Sequence, residues 1–206
     1  MIIFNKILAF LFPQKCLGCK KENEILCPDC LGKINRPDTP YLKGVHIAGN
    51  YQDLVLKKAL WMLKYQGVKQ LAKPLAELIK ERILKKLETE DWLIVPIPLS
   101  KNKLRKRGYN QAELIACHLF NSENNLLWGG GLLSKIRETK SQVEVKDREE
   151  RLANIVGSFK AEKPELVKGK KIILIDDVYT TGATMSEAKK VLKSAGAKKV
   201  VGVVVA

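Results

Sequence analysis

The stretch that most limits how this chain can fold runs from Ile172 to Thr184, Ile-Ile-Leu-Ile-Asp-Asp-Val-Tyr-Thr-Thr-Gly-Ala-Thr. Four aliphatic residues without alternation fit a strand buried on both faces of a parallel sheet. Ligands of such sheets lie at the carboxyl ends of the strands, where Asp176 and Asp177 fall. Thr180, Thr181, Gly182, Ala183 and Thr184 then offer backbone N–H groups and three hydroxyls ahead of a helix expected over Met185 to Ser194. Unpaired N–H groups and the helix dipole suit a phosphate at that point, and a glycine lets the backbone turn close to it. Carboxylates would repel the phosphate, so the acidic pair should face neighbouring sugar hydroxyls. Neither a Gly-x-x-x-x-Gly-Lys-Ser/Thr loop nor a Gly-x-Gly-x-x-Gly fingerprint occurs in the chain, which removes the two commonest nucleotide-binding alternatives. A helix cap by Thr180 or Thr184 alone leaves two adjacent carboxylates without a purpose.

This stretch resembles the phosphoribosyl-pyrophosphate (PRPP) motif of type I phosphoribosyltransferases. The resemblance implies that Asp176 and Asp177 hold the ribose hydroxyls. It also implies that Thr180, Thr181, Gly182, Ala183 and Thr184 cradle the 5′-phosphate, and that Mg²⁺ accompanies the ligand on its ribose and pyrophosphate oxygens.

Near the other end of the chain, Cys16-x-x-Cys19 and Cys27-x-x-Cys30 are separated by seven residues. Two such knuckles are the usual way to place four thiolates around zinc. A redox pair and coincidence are the alternatives. Gly18 and Gly32 would assist the tight turns. All four positions being filled by protein, the site would be structural, and metal would supply much of the folding energy of so small a module. The fifth cysteine, Cys117, sits in an apolar helical segment and is expected to be buried. Arg36-Pro37-Asp38-Thr39-Pro40 reads as a linker, dividing the chain into a module over 1–40 and a larger domain over 41–206.

With 206 residues the chain can bury a sizeable core, but its formal net charge of +15 is unusual. Such a field attracts nucleic acid, anionic membrane or phosphorylated small molecules; a solvated lysine-rich surface is the plain alternative. Met1 to Phe12 is apolar but too short to span a bilayer and lacks the pattern of a signal peptide. It is expected to form a short amphipathic helix, and the protein is expected to be cytoplasmic.

Between the ends, apolar spacing predicts a strand over Val45 to Asn50, a helix over Leu54 to Lys64 and a long helix over Gln70 to Leu87. A strand over Trp92 to Ile97, a helix over Gln111 to Phe120 and a last strand over Val200 to Val205 follow from the same reasoning. Pro98, Leu99, Ser100 and Lys101 lie at a strand end. The run Lys101 to Gln111, with five cations in seven residues, reads as an anion-binding loop. The polar segment from Glu138 to Arg151 reads as a mobile lid, from which Arg148 and Arg151 could grip pyrophosphate bidentately.

Further motifs lie in order along the chain: Leu63-Lys64-Tyr65-x-Gly67, Val95-Pro96-Ile97-Pro98-Leu99, Arg107-Gly108-Tyr109-Asn110-Gln111-Ala112 and Arg148-x-x-Arg151-Leu152-x-Asn154. Together with the cysteine knuckles and the acidic stretch, they make the chain similar to the ComF (competence protein F) family. The implied fold is α/β: a type I phosphoribosyltransferase-like, mostly parallel sheet flanked by helices, with a small zinc-ribbon-like N-terminal module. The implied setting is DNA uptake and natural transformation, beside DNA-uptake proteins. Pro98 to Lys101 would form the pyrophosphate loop, Arg148 and Arg151 would belong to the catalytic loop, and Lys64, Tyr65 and Arg107 would join the PRPP site. Where many such transferases carry an acidic–hydroxyl–glycine sequence, this chain has Leu99-Ser100-Lys101. Two functions therefore compete. One is Mg²⁺-dependent transfer of phosphoribose to an acceptor. The other is a non-catalytic accessory that binds single-stranded DNA, with Arg105 to Arg107, Tyr109 or a tryptophan, and the zinc module as its contacts.

Overall fold

The computed structural model describes residues 14–87, 91–122, 125–138 and 155–206. Arg148, Arg151, most of the segment expected to act as a lid, and the apolar N-terminal stretch lie outside the described residues.

The central element is β7 (Lys171–Asp176). Its side chains alternate between two cores: Ile173 and Ile175 face one, Ile172 and Leu174 the other, and all four are fully buried. That accounts for the unbroken aliphatic run. On one side β7 pairs in parallel with β8 (Lys199–Val204), which pairs with β2 (Val45–Ile47); β1 (Tyr41–Leu42) closes that edge antiparallel. On the other side β7 pairs with β3 (Trp92–Pro96), and β3 with β4 (Leu126–Trp128), both in parallel. The sheet order is therefore β1-β2-β8-β7-β3-β4. A separate antiparallel hairpin joins β5 (Leu133–Lys135) to β6 (Phe159–Ala161).

Helices cover both faces. The core containing Ile173 and Ile175 also contains α2 (Leu54–Tyr65), α3 (Ala72–Arg82) and α5 (Gln111–Ser122). The opposite core holds α7 (Ala183–Ser194), the hairpin and α6 (Pro164–Val167). The stretch expected to be one helix from Gln70 to Leu87 is broken. A 3₁₀ turn over Lys69–Leu71 precedes α3, and another over Leu84–Lys86 follows it. The break comes at Ile83, where φ is −123° and ψ −60°, and Ile83 and Leu84 are both buried beyond it.

The basic run expected as a loop is instead the short helix α4 (Lys101–Arg107). Lys, Leu and Arg are strong helix formers. The Leu104 N–H donates to the Ser100 carbonyl, and Gly108, at φ +77°, stops the helix. Among the described residues no helix is long and apolar enough to cross a membrane.

The cysteine module, with its short α1 (Pro28–Gly32), is built onto this domain. Cys16, Leu26, Cys27 and Ile34 are buried in the same core as α2 and α3. The Arg82 guanidinium donates to the carbonyls of Gly32 (3.3 Å), Ile34 (2.7 Å) and Ala48 (3.0 Å). The Asp53 carboxylate does two jobs: Oδ1 caps α2 through Val55 and Leu56, and Oδ2 accepts the Asn35 N–H at 2.9 Å.

Candidate functional site

The chain runs from β7 to β8 in one direction and from β3 to β4 in the other, so the ends of β7 and β3 flank a switch in strand order. Successive helices leave on opposite faces there and open a crevice, the place where open α/β sheets take ligands. A cavity of about 790 Å³ fills this crevice, lined by Asp176, Asp177, Thr180, Gly182 and Thr184 from the end of β7. Ile97, Pro98, Leu99 and Ser100 line it from the end of β3. Lys103, Lys106 and Arg107 on α4, Lys64 and Tyr65 at the end of α2, and Lys135 on β5 complete the basic side.

Most residues expected from the sequence thus meet in one place. Thr181, Ala183 and Lys101 support the rim without lining the cavity. The Thr181 hydroxyl accepts the Ala183 N–H at 3.4 Å, Ala183 is buried in the core, and Lys101 opens α4, exposed. Lys103, Lys106, Lys135 and Gln111 were not singled out as site residues. The period of α4 could have shown Lys103 and Lys106. Nothing local marks Lys135, which arrives on the hairpin. Tyr109, expected as a stacking surface, is only 8% exposed, and its hydroxyl donates to the Leu63 carbonyl. Its neighbour Asn110 bonds the Ile97 carbonyl and the Ala112 N–H, tying the end of β3 to the start of α5. Cys117 is half-buried rather than enclosed.

The loop after β7 is shaped by Gly182, the residue before α7, at φ +77°. A Cβ there would lie 2.2 Å from the Tyr179 hydroxyl oxygen, so both conformation and space require glycine. Tyr179 is itself fixed by its N–H on the Ala206 carbonyl.

The two carboxylates differ. Asp177 is 4% exposed, and its Oδ1 is 2.8 Å from Lys64 Nζ. Its Oδ2 is buried with no hydrogen-bond partner, an acceptor whose need a sugar hydroxyl would meet. Asp176 accepts the Asp177 N–H at 2.8 Å. Burial first, then the neighbouring Asp177 charge, pushes the Asp176 carboxyl up to about 7. Burial opposes the charge on Lys64, but the Asp177 carboxylate outweighs it and raises that ammonium above its ordinary value. Lys135 is brought down to about 8, by burial and then by Lys103.

The four sulfurs of Cys16, Cys19, Cys27 and Cys30 lie within 4.8 Å of one another. Cys27 Sγ is 3.6 Å from Cys16 Sγ and 3.7 Å from Cys19 Sγ. A tetrahedral ion with Zn–S bonds of about 2.3 Å would set its sulfurs about 3.8 Å apart, so the cluster fits such an ion. Without one the thiols oppose each other's ionisation. Burial pushes Cys16 up, but backbone N–H groups hold it at about 6, whereas the Cys27 sulfur first, then burial, drives Cys30 to about 12. Gly18 permits the closeness, since a Cβ there would meet Cys30 Sγ at 2.6 Å. Gly32 meets nothing.

Residues 106–206 match the phosphoribosyl transferase domain. Competence protein ComFC of Streptococcus pneumoniae is 38% identical over 196 residues, covering 91% of this chain and 78% of that protein. The chain belongs to the ComF family. ComFC of Bacillus subtilis is 30% identical, covering 88% of this chain and 72% of that protein. The DNA utilization protein YhgH of Salmonella typhi is 26% identical, with 90% and 85% covered. This ComF-type chain therefore carries the family's transferase-like fold together with a four-cysteine cluster able to hold a metal.

Proposed function

We propose that this ComF-type chain binds PRPP with Mg²⁺ and acts in DNA uptake, transferring phosphoribose to an acceptor with release of pyrophosphate. The observation that carries the reading is the single crevice in which a carboxylate pair, a threonine- and glycine-rich helix start and several cations converge. The buried, unpartnered Asp177 Oδ2 adds a polar demand that ribose would meet. Asp176 and Asp177 take the ribose hydroxyls. Thr180 to Thr184 take the 5′-phosphate, and Ser100 with Lys103 and Lys106 faces the pyrophosphate. Arg148 and Arg151 are assigned to pyrophosphate from the sequence alone, as guanidinium groups suited to bidentate binding of its oxygens. Mg²⁺, held by the ligand's own oxygens, would offset charge on the departing pyrophosphate. The acceptor's lone pair forms the new bond at C1 as the C1–O bond to pyrophosphate breaks, and the leaving group keeps that electron pair.

In this reading the cysteine cluster binds Zn²⁺ structurally, and residues 1–40 form a module attached to a domain over 41–206. Calorimetric titration of PRPP with Mg²⁺ tests the site. Wild-type protein should bind, and the double variant Asp176→Asn, Asp177→Asn should lose at least about a hundredfold in affinity. Equal binding by the two proteins would refute the assignment.

One observation favours the second reading, a non-catalytic accessory for single-stranded DNA. At the crevice mouth Tyr65 is 65% exposed, Trp61 is 50% exposed with its ring 6.3 Å from that of Tyr65, and the Arg107 guanidinium lies 5.6 Å over Tyr65. Exposed rings beside cations are the elements of a single-strand platform. Here Tyr65 and Trp61 replace the enclosed Tyr109. Oligonucleotide binding that weakens with salt and with Trp61→Ala, and that survives the double Asp variant, would support it.

A further inference from the structure

We infer that Lys64 is a positioning residue: from the end of α2 it holds Asp177 ionised and oriented in the crevice, and acts on the sugar only through that carboxylate. The inference rests on the PRPP reading and assigns Lys64 a place in it that differs from direct contact with the ligand.

The geometry comes from three elements. Asp177 follows β7 directly and is nearly enclosed. A carboxylate so placed needs a close opposite charge to stay ionised, and Lys64 Nζ supplies it at 2.8 Å from Oδ1. The pair leaves Oδ2 as the oxygen without a partner. Lys64 thus fixes which oxygen is left for a hydroxyl donor. Its own position is fixed from behind. The next residue back, Leu63, is fully buried, and its carbonyl accepts the Tyr109 hydroxyl. At the far end of α2, Asp53 caps the helix and holds Asn35 of the segment leading from the cysteine module.

Charge gives a second reason. Two adjacent carboxylates beside a phosphate loop would oppose a polyanionic ligand. Lys64 offsets one of them without using the cations of α4. The groups facing Lys64 are Asp177, Asp176 and Tyr65; those facing Asp176 are Asp177, Lys64 and Lys135. Removing Lys64 leaves a buried and a half-buried carboxylate side by side, and such pairs retain a shared proton to higher pH.

The test is PRPP titration with Mg²⁺, from pH 5.5 to 8.5, into full-length metal-loaded wild type, Lys64→Met and Lys64→Arg. The ligand's own titration is common to all three and cancels. Lys64→Met should bind about tenfold or more weakly, with the midpoint of its pH dependence moved upward, and Lys64→Arg should restore both toward wild type. Unchanged affinity in Lys64→Met overturns the inference. So does weaker binding with an unmoved midpoint, because Lys64 would then be touching the ligand itself.

If wild type ignores PRPP, the PRPP reading falls separately. Lys64 is then read from thermal unfolding of the same ligand-free proteins. Lys64→Met would leave the nearly enclosed Asp177 without its counter-charge, so the variant should lose stability relative to wild type as pH rises from 5.5 to 8.5. A constant difference between the two proteins would overturn the inference in that case as well.

Discussion

The cysteine cluster and the crevice are both candidate binding sites formed where loops meet helix starts, yet they are assembled at different ranges. The cluster draws all four ligands from 15 consecutive residues, Cys16 to Cys30. The crevice draws its walls from α2, β3, α4, β5 and β7, with side chains as distant in sequence as Lys64 and Thr184. A site made locally can be written into spacing. A site made across a sheet needs the strand order to exist first. The two are nevertheless joined, because the module's Cys16, Cys27 and Ile34 share a core with α2, whose last turn reaches the acidic pair.

The largest expected effect would test that junction. Cys27→Ser, or chelation of the wild type, should destabilise the chain on the order of 5 kcal/mol, since metal binding supplies folding energy to its module. Because the core is shared, melting should remain one transition and PRPP affinity should fall with it. Two separate transitions in calorimetry would show that the regions are independent. Next in size is Arg82→Ala, which removes guanidinium bonds to four carbonyls and should cost about 2–3 kcal/mol. Metal content by elemental analysis should stay at the wild-type value, because no thiol is touched.

A pair of glycines sharpens the contrast. Gly182→Ala should cost about 1–2 kcal/mol in backbone strain and lower PRPP affinity while sparing metal. Gly18→Ala should lower metal affinity, since its Cβ would press on Cys30 Sγ, and should reduce PRPP affinity only as far as metal is lost; competition with a chelator and PRPP calorimetry on both variants read this out. The most local effect is that of pH on the crevice alone. The Asp176 carboxyl stands near 7 in the fold, above its ordinary value of 3.8. Its contribution to stability is therefore present at low pH and lost as pH rises through the interval between those values. Asp176→Asn should flatten that part of the unfolding-temperature profile, and PRPP should bind better above pH 7, where the carboxylate is free to accept.

The aliphatic run of β7, the acidic pair at its end, the cysteine knuckles and the helix expected over Met185 to Ser194, which starts two residues earlier at Ala183, were all legible in the sequence, because each depends on neighbours a few residues away. So was the helix expected over Leu54 to Lys64, which buries Leu56, Leu60 and Leu63. The basic run before Gly108 was recognisable as a charge feature but not as a helix, since its propensity was outweighed by its reading as a loop after a strand. The break at Ile83 was hidden because Ile79, Ile83 and Leu87 keep helical spacing across it.

What the sequence by itself determined is the chemistry available: four thiols at knuckle spacing, two carboxylates at a strand end, and a glycine where only glycine fits. What only the tertiary structure decided is which groups act together. Lys64 meets Asp177 across 113 positions because α2 and β7 contribute to one core that brings their ends together. Tyr109 was taken inside by the Leu63 carbonyl, leaving Tyr65 and Trp61 at the surface. Burial and pairing are properties of packed neighbours, and a chain read in order does not show them until the sheet has brought them together.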